Sequence, residues 1–339
     1  MDQSISDLKR TTLADVAARA GVSKMTASKV LRGTGSISAQ TRERVRAAAR
    51  DLSYVPNRLA GSLSSNRSHI VAVVLPSIND AVFGDVVSGI NAVIRPEGYL
   101  TFIGESHFDT DLEDEIIQTV LSLQPAGMIV TGGIRRSERA SQLLKSWPCP
   151  IIQIWDEQDA GYDGNIAPSH ADAGRMIAQH FIEKGVRKPA YIGAELKKDL
   201  CAARRREAFK EVLTGVGLEL IDCTDEDMPR QAGSGSKLIQ DLMRQHPDID
   251  ALYCLNDAMA LGALSWLHGA GFAVPDQIAV AGFNGTSFEH SVRTRLTTVH
   301  IERHALGQEA ARAVLASIRG EVFAPREDFV ATLVQGNTT

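Results

Sequence analysis

Apolar positions along the chain fall into two regimes. In the first they recur at helical spacing: Leu13, Val16, Ala17 and Ala20, then Ala27, Val30 and Leu31, then Val45, Ala48, Ala49 and Leu52. Thr12 is placed to cap the first helix, and Asp15 complements its positive end. Gly21 stops it, and Ser23 can cap a second helix from Lys24 to Leu31. A third helix follows from Ser38, with Arg42, Arg44, Arg46 and Arg50 solvated. Two short helices joined at a glycine turn make a helix-turn-helix, and the third completes an all-α headpiece. The second helix exposes Lys24, Met25, Thr26, Ser28 and Lys29, donors with one apolar contact suited to base edges and phosphates. A small bundle that binds another protein shares part of this pattern.

From Ser68 onward, short apolar runs alternate with amphipathic stretches. Ile70–Leu75, Leu100–Gly104, Gly127–Thr131, Ile151–Ile154, Pro189–Gly193, Ala251–Leu255 and Ile278–Phe283 read as buried strands. Helical segments between them include Phe83–Glu97, Glu113–Leu123, Ala171–Lys184, Arg205–Val216, Ser236–His246 and Ala258–Gly269. This alternation predicts parallel sheets flanked by helices, in two lobes. Ligands in such sheets sit beyond the carboxyl ends of the strands, where Ser77, Asn79, Trp155, Asp156, Asn256, Asp257 and Asn284 fall, with Arg204, Arg205 and Arg206 opening a helix. Ala232-Gly-Ser-Gly-Ser-Lys lacks the order of a phosphate loop and reads as a flexible turn.

Charge sharpens this division. Residues 1–68 hold 12 Lys or Arg against 5 Asp or Glu, whereas residues 69–339 hold 24 against 36. A basic head on an acidic body suits a chain whose one end meets a polyanion. Cys149, Cys201, Cys223 and Cys254 have no paired spacing, and the nine histidines have no ligand spacing, so no metal or cofactor is implied. Neither a Gly-x-Ser-x-Gly elbow nor a His-Glu-x-x-His pair occurs. With no signal peptide and no apolar run of membrane-spanning length, a cytoplasmic location away from membranes is expected. The segment from Pro56 to Ser68 is marginal as a lone helix and reads as a hinge.

The run Thr12-Leu-Ala-Asp-Val-Ala-Ala-Arg-Ala-Gly-Val-Ser-Lys-Met-Thr, with Ser38-Ala-Gln-Thr-Arg-Glu-Arg-Val and Leu52-Ser-Tyr-Val-Pro-Asn-Arg-Leu-Ala, closely resembles the headpiece of the LacI/GalR family of transcriptional regulators. Leu255-Asn-Asp-Ala-Met-Ala-Leu-Gly-Ala and Ile278-Ala-Val-Ala-Gly-Phe-Asn-Gly extend the resemblance over nearly all of the chain. Within the family, Lys24-Met-Thr is most similar to repressors of the gluconate and 2-ketogluconate type. The resemblance implies a helix-turn-helix headpiece over 1–56, a hinge over 57–68, and a two-lobed α/β effector domain of the type I periplasmic-binding-protein kind over 69–339. The first lobe would take about 69–167 and 298–327, and the second about 168–297 and 328–339.

It also implies roles. Lys24, Met25 and Lys29 match base-reading positions, while Thr12, Ser23, Thr26, Ser28, Tyr54 and Asn57 match positions that touch or buttress phosphate contacts. Leu63 matches the leucine that wedges into the minor groove when paired hinge helices order on double-stranded operator DNA. Operators of this class are palindromic, so a homodimer is implied, and the tail lacks the leucine heptad of an added tetramer helix. Ser77, Phe83, Trp155, Arg205, Asn256 and Asn284 would face the interlobe cleft, with Arg204 competing with Arg205 for an anionic group. Many relatives that bind neutral sugars carry aspartate where this chain has Asn284; a neutral side chain beside an arginine favours a sugar acid. Effector could release the operator or strengthen binding, and release is expected. A sugar-acid-processing enzyme with a DNA-binding head is the alternative.

Overall fold

The computed structural model describes residues 11–56, 68–78, 81–158, 160–286, 294–323 and 326–339, in two units that divide between Arg67 and Ser68. The head is α1 (Leu13–Ala20), α2 (Lys24–Leu31) and α3 (Ala39–Asp51). Thr12 and Asp15 form a capping box: Asp15 N donates to Thr12 Oγ1 at 3.3 Å and Thr12 N donates to Asp15 Oδ2 at 2.8 Å. Gly21 ends α1 in the left-handed region at φ 64°, which costs a glycine nothing. Ser23 caps α2 by accepting from Thr26 N at 3.1 Å. The core is small: Val16, Ala17 and Ala20 meet Ala27, Val30, Val45, Ala48 and Ala49. Alanine at these contacts lets short helices close on one another.

The first lobe of the body contains β1 (Ile70–Leu75), α4 (Ala81–Ile94), β2 (Leu100–Glu105), α5 (Thr110–Ser122), β3 (Gly127–Thr131), α6 (Glu138–Ser146), β4 (Ile151–Ile154) and β5 (Gly164–Pro168). The chain crosses to the second lobe for α7 (His170–Glu183), β6 (Pro189–Ala194), α8 (Leu200–Gly215), β7 (Ile221–Asp225) and α9 (Ala232–Gln245). There it continues through β8 (Ala251–Cys254), α10 (Asp257–Gly269), β9 (Ala279–Asn284) and β10 (Thr297–His300). It returns for α11 (Arg303–Arg319) and β11 (Arg326–Phe329), and crosses again for β12 (Thr332–Val334).

The sheets order as β11-β5-β4-β3-β1-β2 and β12-β10-β9-β8-β6-β7, parallel throughout except for β12, which runs antiparallel to β10. The later crossings differ from expectation. β10 pairs with β9 through His300↔Asn284, so the chain stays in the second lobe past residue 298 and crosses at Ile301 and Glu302. β11 pairs with β5 through Phe329↔Pro168, so the last crossing falls after 329 rather than at 328. Thr-Thr-Val-His is too polar to announce itself as a strand, yet Thr297 and Val299 are fully buried in the sheet.

Ala232-Gly-Ser-Gly-Ser-Lys is not a turn but the first turns of α9. A Cβ on Gly235 would overlap the Met259 backbone, and one on Gly262 would overlap that of Ala232. The small residues that weaken the local helix signal are what allow α9 and α10 to touch along their backbones. The same device brings α7 against α8, where a Cβ on Gly174 would overlap the Arg205 carbonyl.

Candidate functional site

On the head, Lys24, Met25 and Lys29 are exposed along α2, Met25 at 68%. Ser28 and Thr26 are half-buried beside them, and Thr12 is exposed at the start of α1. The Ser23 and Thr26 hydroxyls share a hydrogen bond of 2.9 Å, and Tyr54 packs on the head core. Among the described residues neither lysine has an ion-pair partner. Asn57 and Leu63 lie outside the described residues.

Between the lobes of the body, a narrow cleft opens where the carboxyl ends of both sheets converge. Of the residues that the family resemblance put at the cleft, Phe83, Trp155, Arg205, Asn256 and Asn284 line it; Ser77 and Arg204 do not. The arginine triplet does not open its helix: α8 starts at Leu200 and is capped by Asp199, whose side chain accepts from Ala202 N at 2.9 Å. Successive helical residues are rotated by roughly 100°, so the three arginines face three ways. Arg204 pairs with Asp156, Arg206 pairs with Asp222, and Arg205 enters the cleft.

Arg205 is 4% exposed. Its guanidinium lies 3.6 Å from the Phe283 ring centroid, donates to the Leu255 carbonyl at 2.9 Å and reaches His170 Nδ1 at 3.0 Å. Among the described residues no carboxylate is within ion-pair distance of it. The wall rings pack on one another and on buried His170 behind them: Phe83 to Trp155 at 5.8 Å, Trp155 to His170 at 5.4 Å, and His170 to Phe283 at 5.6 Å.

Asp199, Arg230 and Phe108 line this cleft, and His170 backs it through Arg205 and Trp155; none of the four was singled out from sequence. Asp199 is buried, which alone would raise its pKa, but Arg230 and Arg205 outweigh that and hold it below the usual carboxylate range. Arg230 pairs with Asp199 at 2.7 Å and Glu195 at 3.3 Å and stacks on Phe108, its guanidinium 4.0 Å from the ring centroid. This second cation is therefore neutralised by carboxylates. Asn256 lines the cleft but is committed to structure: Oδ1 caps α10 by accepting from Met259 N at 2.9 Å, and Nδ2 donates to the Arg230 carbonyl at 3.1 Å.

Asn284 ends β9 at φ 112°, and among the described residues its buried Oδ1 has no partner. Its carbonyl accepts from Arg303, which is itself 6% exposed and also holds Asp85. Next to it, Asp257 is pushed up to about 6 by burial, although Thr298 and Thr286 donate to its carboxylate.

A helix-turn-helix and a two-lobed body of periplasmic-binding-protein architecture in one chain define a bacterial transcriptional regulator, and the comparisons with known proteins agree. Residues 12–57 match the family model "Bacterial regulatory proteins, lacI family", and residues 178–339 match "Periplasmic binding protein-like domain". The chain is 35% identical to the HTH-type transcriptional regulator GntR of Pseudomonas aeruginosa, over 94% of this chain and 93% of that protein. It is 31% identical to the regulator of the same name from Escherichia coli K12, over 94% and 95%.

Among solved structures, a LacI-family transcriptional regulator from Silicibacter pomeroyi superposes with a TM-score of 0.91 at 34% identity, covering 97% of this chain and 99% of that one. The lac repressor dimer bound to operator and an anti-inducer gives a TM-score of 0.81 at 25% identity, with the same coverage. The chain belongs to the LacI family of DNA-binding transcriptional regulators. Among the described residues no helix is long and apolar enough to cross a membrane.

Proposed function

We propose that this regulator acts as a homodimeric repressor on a palindromic operator and is released from it when a sugar acid such as gluconate or 2-ketogluconate fills the cleft. The observation that carries the reading is Arg205, a buried cation lining the cleft with no carboxylate in contact among the described residues. A desolvated charge with no carboxylate in contact is costly, since Asp199 acts on it only at a distance while paired with Arg230, and a ligand carboxylate would make that contact. Asn284 offers an amide to hydroxyls, Phe83 and Trp155 pack on the carbon skeleton, and Asn256 serves to shape the wall. Arg205 rather than Arg204 takes the carboxylate, because Arg204 is already paired with Asp156. On the head, Lys24, Met25 and Lys29 read bases while Thr12, Ser23, Thr26, Ser28, Tyr54 and Asn57 contact or buttress phosphates, and Leu63 enters the minor groove. The Pseudomonas and Escherichia relatives are HTH-type transcriptional regulators, which supports the DNA-binding part of this reading.

Calorimetric titration with gluconate, 2-ketogluconate and glucose, paired with anisotropy on a selected operator and a scrambled duplex, tests the reading. An acid should bind where glucose does not, and should weaken operator binding while leaving scrambled duplex untouched. Equal binding of glucose, or an operator affinity indifferent to every acid, would overturn it.

A further inference from the structure

His170 is fully buried at the first turn of α7, between the walls of both lobes. Its Nδ1 is 3.0 Å from an Arg205 nitrogen and its Nε2 is 2.8 Å from the Trp155 carbonyl. A guanidinium can only donate, so Nδ1 must accept; a carbonyl can only accept, so Nε2 must carry the hydrogen. The two contacts together fix a single neutral tautomer. Protonation would place a hydrogen against the guanidinium, and burial followed by the Arg205 charge pushes the imidazole down to about 3, in keeping with that geometry. The charged groups that act on it are Arg205, Asp199 and Arg204, and Asp199 is engaged by Arg230.

The consequence concerns selectivity. Any acceptor at this position would orient Arg205, and an aspartate would do so while cancelling its charge. The imidazole holds the guanidinium and leaves its charge intact. We propose that His170 is the specificity-determining positioning residue of the cleft: a neutral acceptor that aims Arg205 at the ligand without neutralising it, so that the site takes a monoanion. This rests on the sugar-acid reading for the identity of the anion, but not for the state of Arg205.

The test compares His170→Asn with His170→Asp. Both place an oxygen near the position of Nδ1, both lose the ring, and they differ essentially in charge. In the full-length protein without ligand at pH 7, H170D should melt several degrees above H170N, because it supplies the contacting carboxylate that Arg205 lacks. In titrations with gluconate, H170N should retain binding to within about tenfold of the parent, as expected for a neutral hydrogen bond kept in poorer geometry. H170D should bind on the order of a hundredfold more weakly than H170N, as a fixed charge beside the guanidinium would cause. Gluconate binding equal in the two variants, or H170D melting no higher than H170N, overturns the proposal. If the parent protein binds neither gluconate nor 2-ketogluconate, the sugar-acid reading fails, and the melting order of the two variants alone decides the role of His170.

Discussion

Arg303 on α11 donates twice to Asp85 Oδ2 of α4, at 3.0 and 2.9 Å, and its remaining nitrogen reaches across the lobes to the Asn284 carbonyl. The ion pair anchors in the first lobe the arginine that holds the backbone of a cleft residue in the second. Arg303→Met should cost roughly 2–4 kcal/mol, from hydrogen bonds to a charged donor lost together with buried carbonyls left unpaired. The check is chemical denaturation. A loss below about 0.5 kcal/mol, the usual scale of a surface change, would mean the bridge contributes little.

Arg205→Lys keeps the charge but cannot reproduce the planar stack on Phe283 or the paired donation to Leu255 and His170. Gluconate affinity should fall on the order of 10- to 100-fold by calorimetry, the scale of charge-assisted hydrogen bonds. Asn284→Asp should weaken gluconate by a similar order, through repulsion in a low-dielectric cleft.

Asp257 gives the body a defined pH dependence. Its folded pKa, about 6, lies above the usual 3.8, so the folded state binds the proton more tightly. That contribution is full below about pH 4 and is lost as the pH rises through about 6, to a total of order 3 kcal/mol. Asp257→Asn lacks this dependence, so its melting temperature should gain on the parent between pH 4 and pH 7. A constant difference over that range would show that the carboxylate stays ionised throughout.

Lys24→Ala on α2 should cost about 1–3 kcal/mol on a selected operator and much less on scrambled duplex, the signature of base readout. Anisotropy at several salt concentrations separates this from a phosphate contact, which would lower both affinities alike and reduce the salt slope by about one.

Gly262→Ala would drive a methyl into the Ala232 backbone at the α9 and α10 contact. Overpacking of this kind costs about 1–3 kcal/mol, which is several degrees of melting temperature for a body of this size. An unchanged melting temperature would mean that the helices separate freely.

The head is legible in sequence because its signals are local: Thr12 and Asp15 are three residues apart, Gly21 alone turns the chain, and each helix carries its own apolar stripe. Central strands were legible as apolar runs. β7 was not, because Ile221–Asp225 is a half-exposed edge with polar letters, and β5 hides a buried strand behind Gly164, Asn165 and Pro168. In the cleft, Asn284 falls in a family motif and Arg205 and Phe83 were expected only from the wider resemblance, while His170 and Arg230 depend on partners far along the chain. The span from His170 to Arg205 is 35 residues, and that from Arg230 to Asp199 is 31. The cap at Asp199, three residues before the buried Ala202, was the one local hint that α8 begins early.

Trp155 and Asn284 both hold positive φ, at 78° and 112°, a region that side-chain-bearing residues seldom enter. Each sits on a rim of the cleft, and each has its carbonyl clasped, by His170 and Arg303 respectively. At these two points the wall is therefore held by hydrogen bonds from the scaffold itself. A ligand would find the backbone fixed at Trp155 and Asn284, so discrimination at these two points rests on how its outline and charge match the side chains they present.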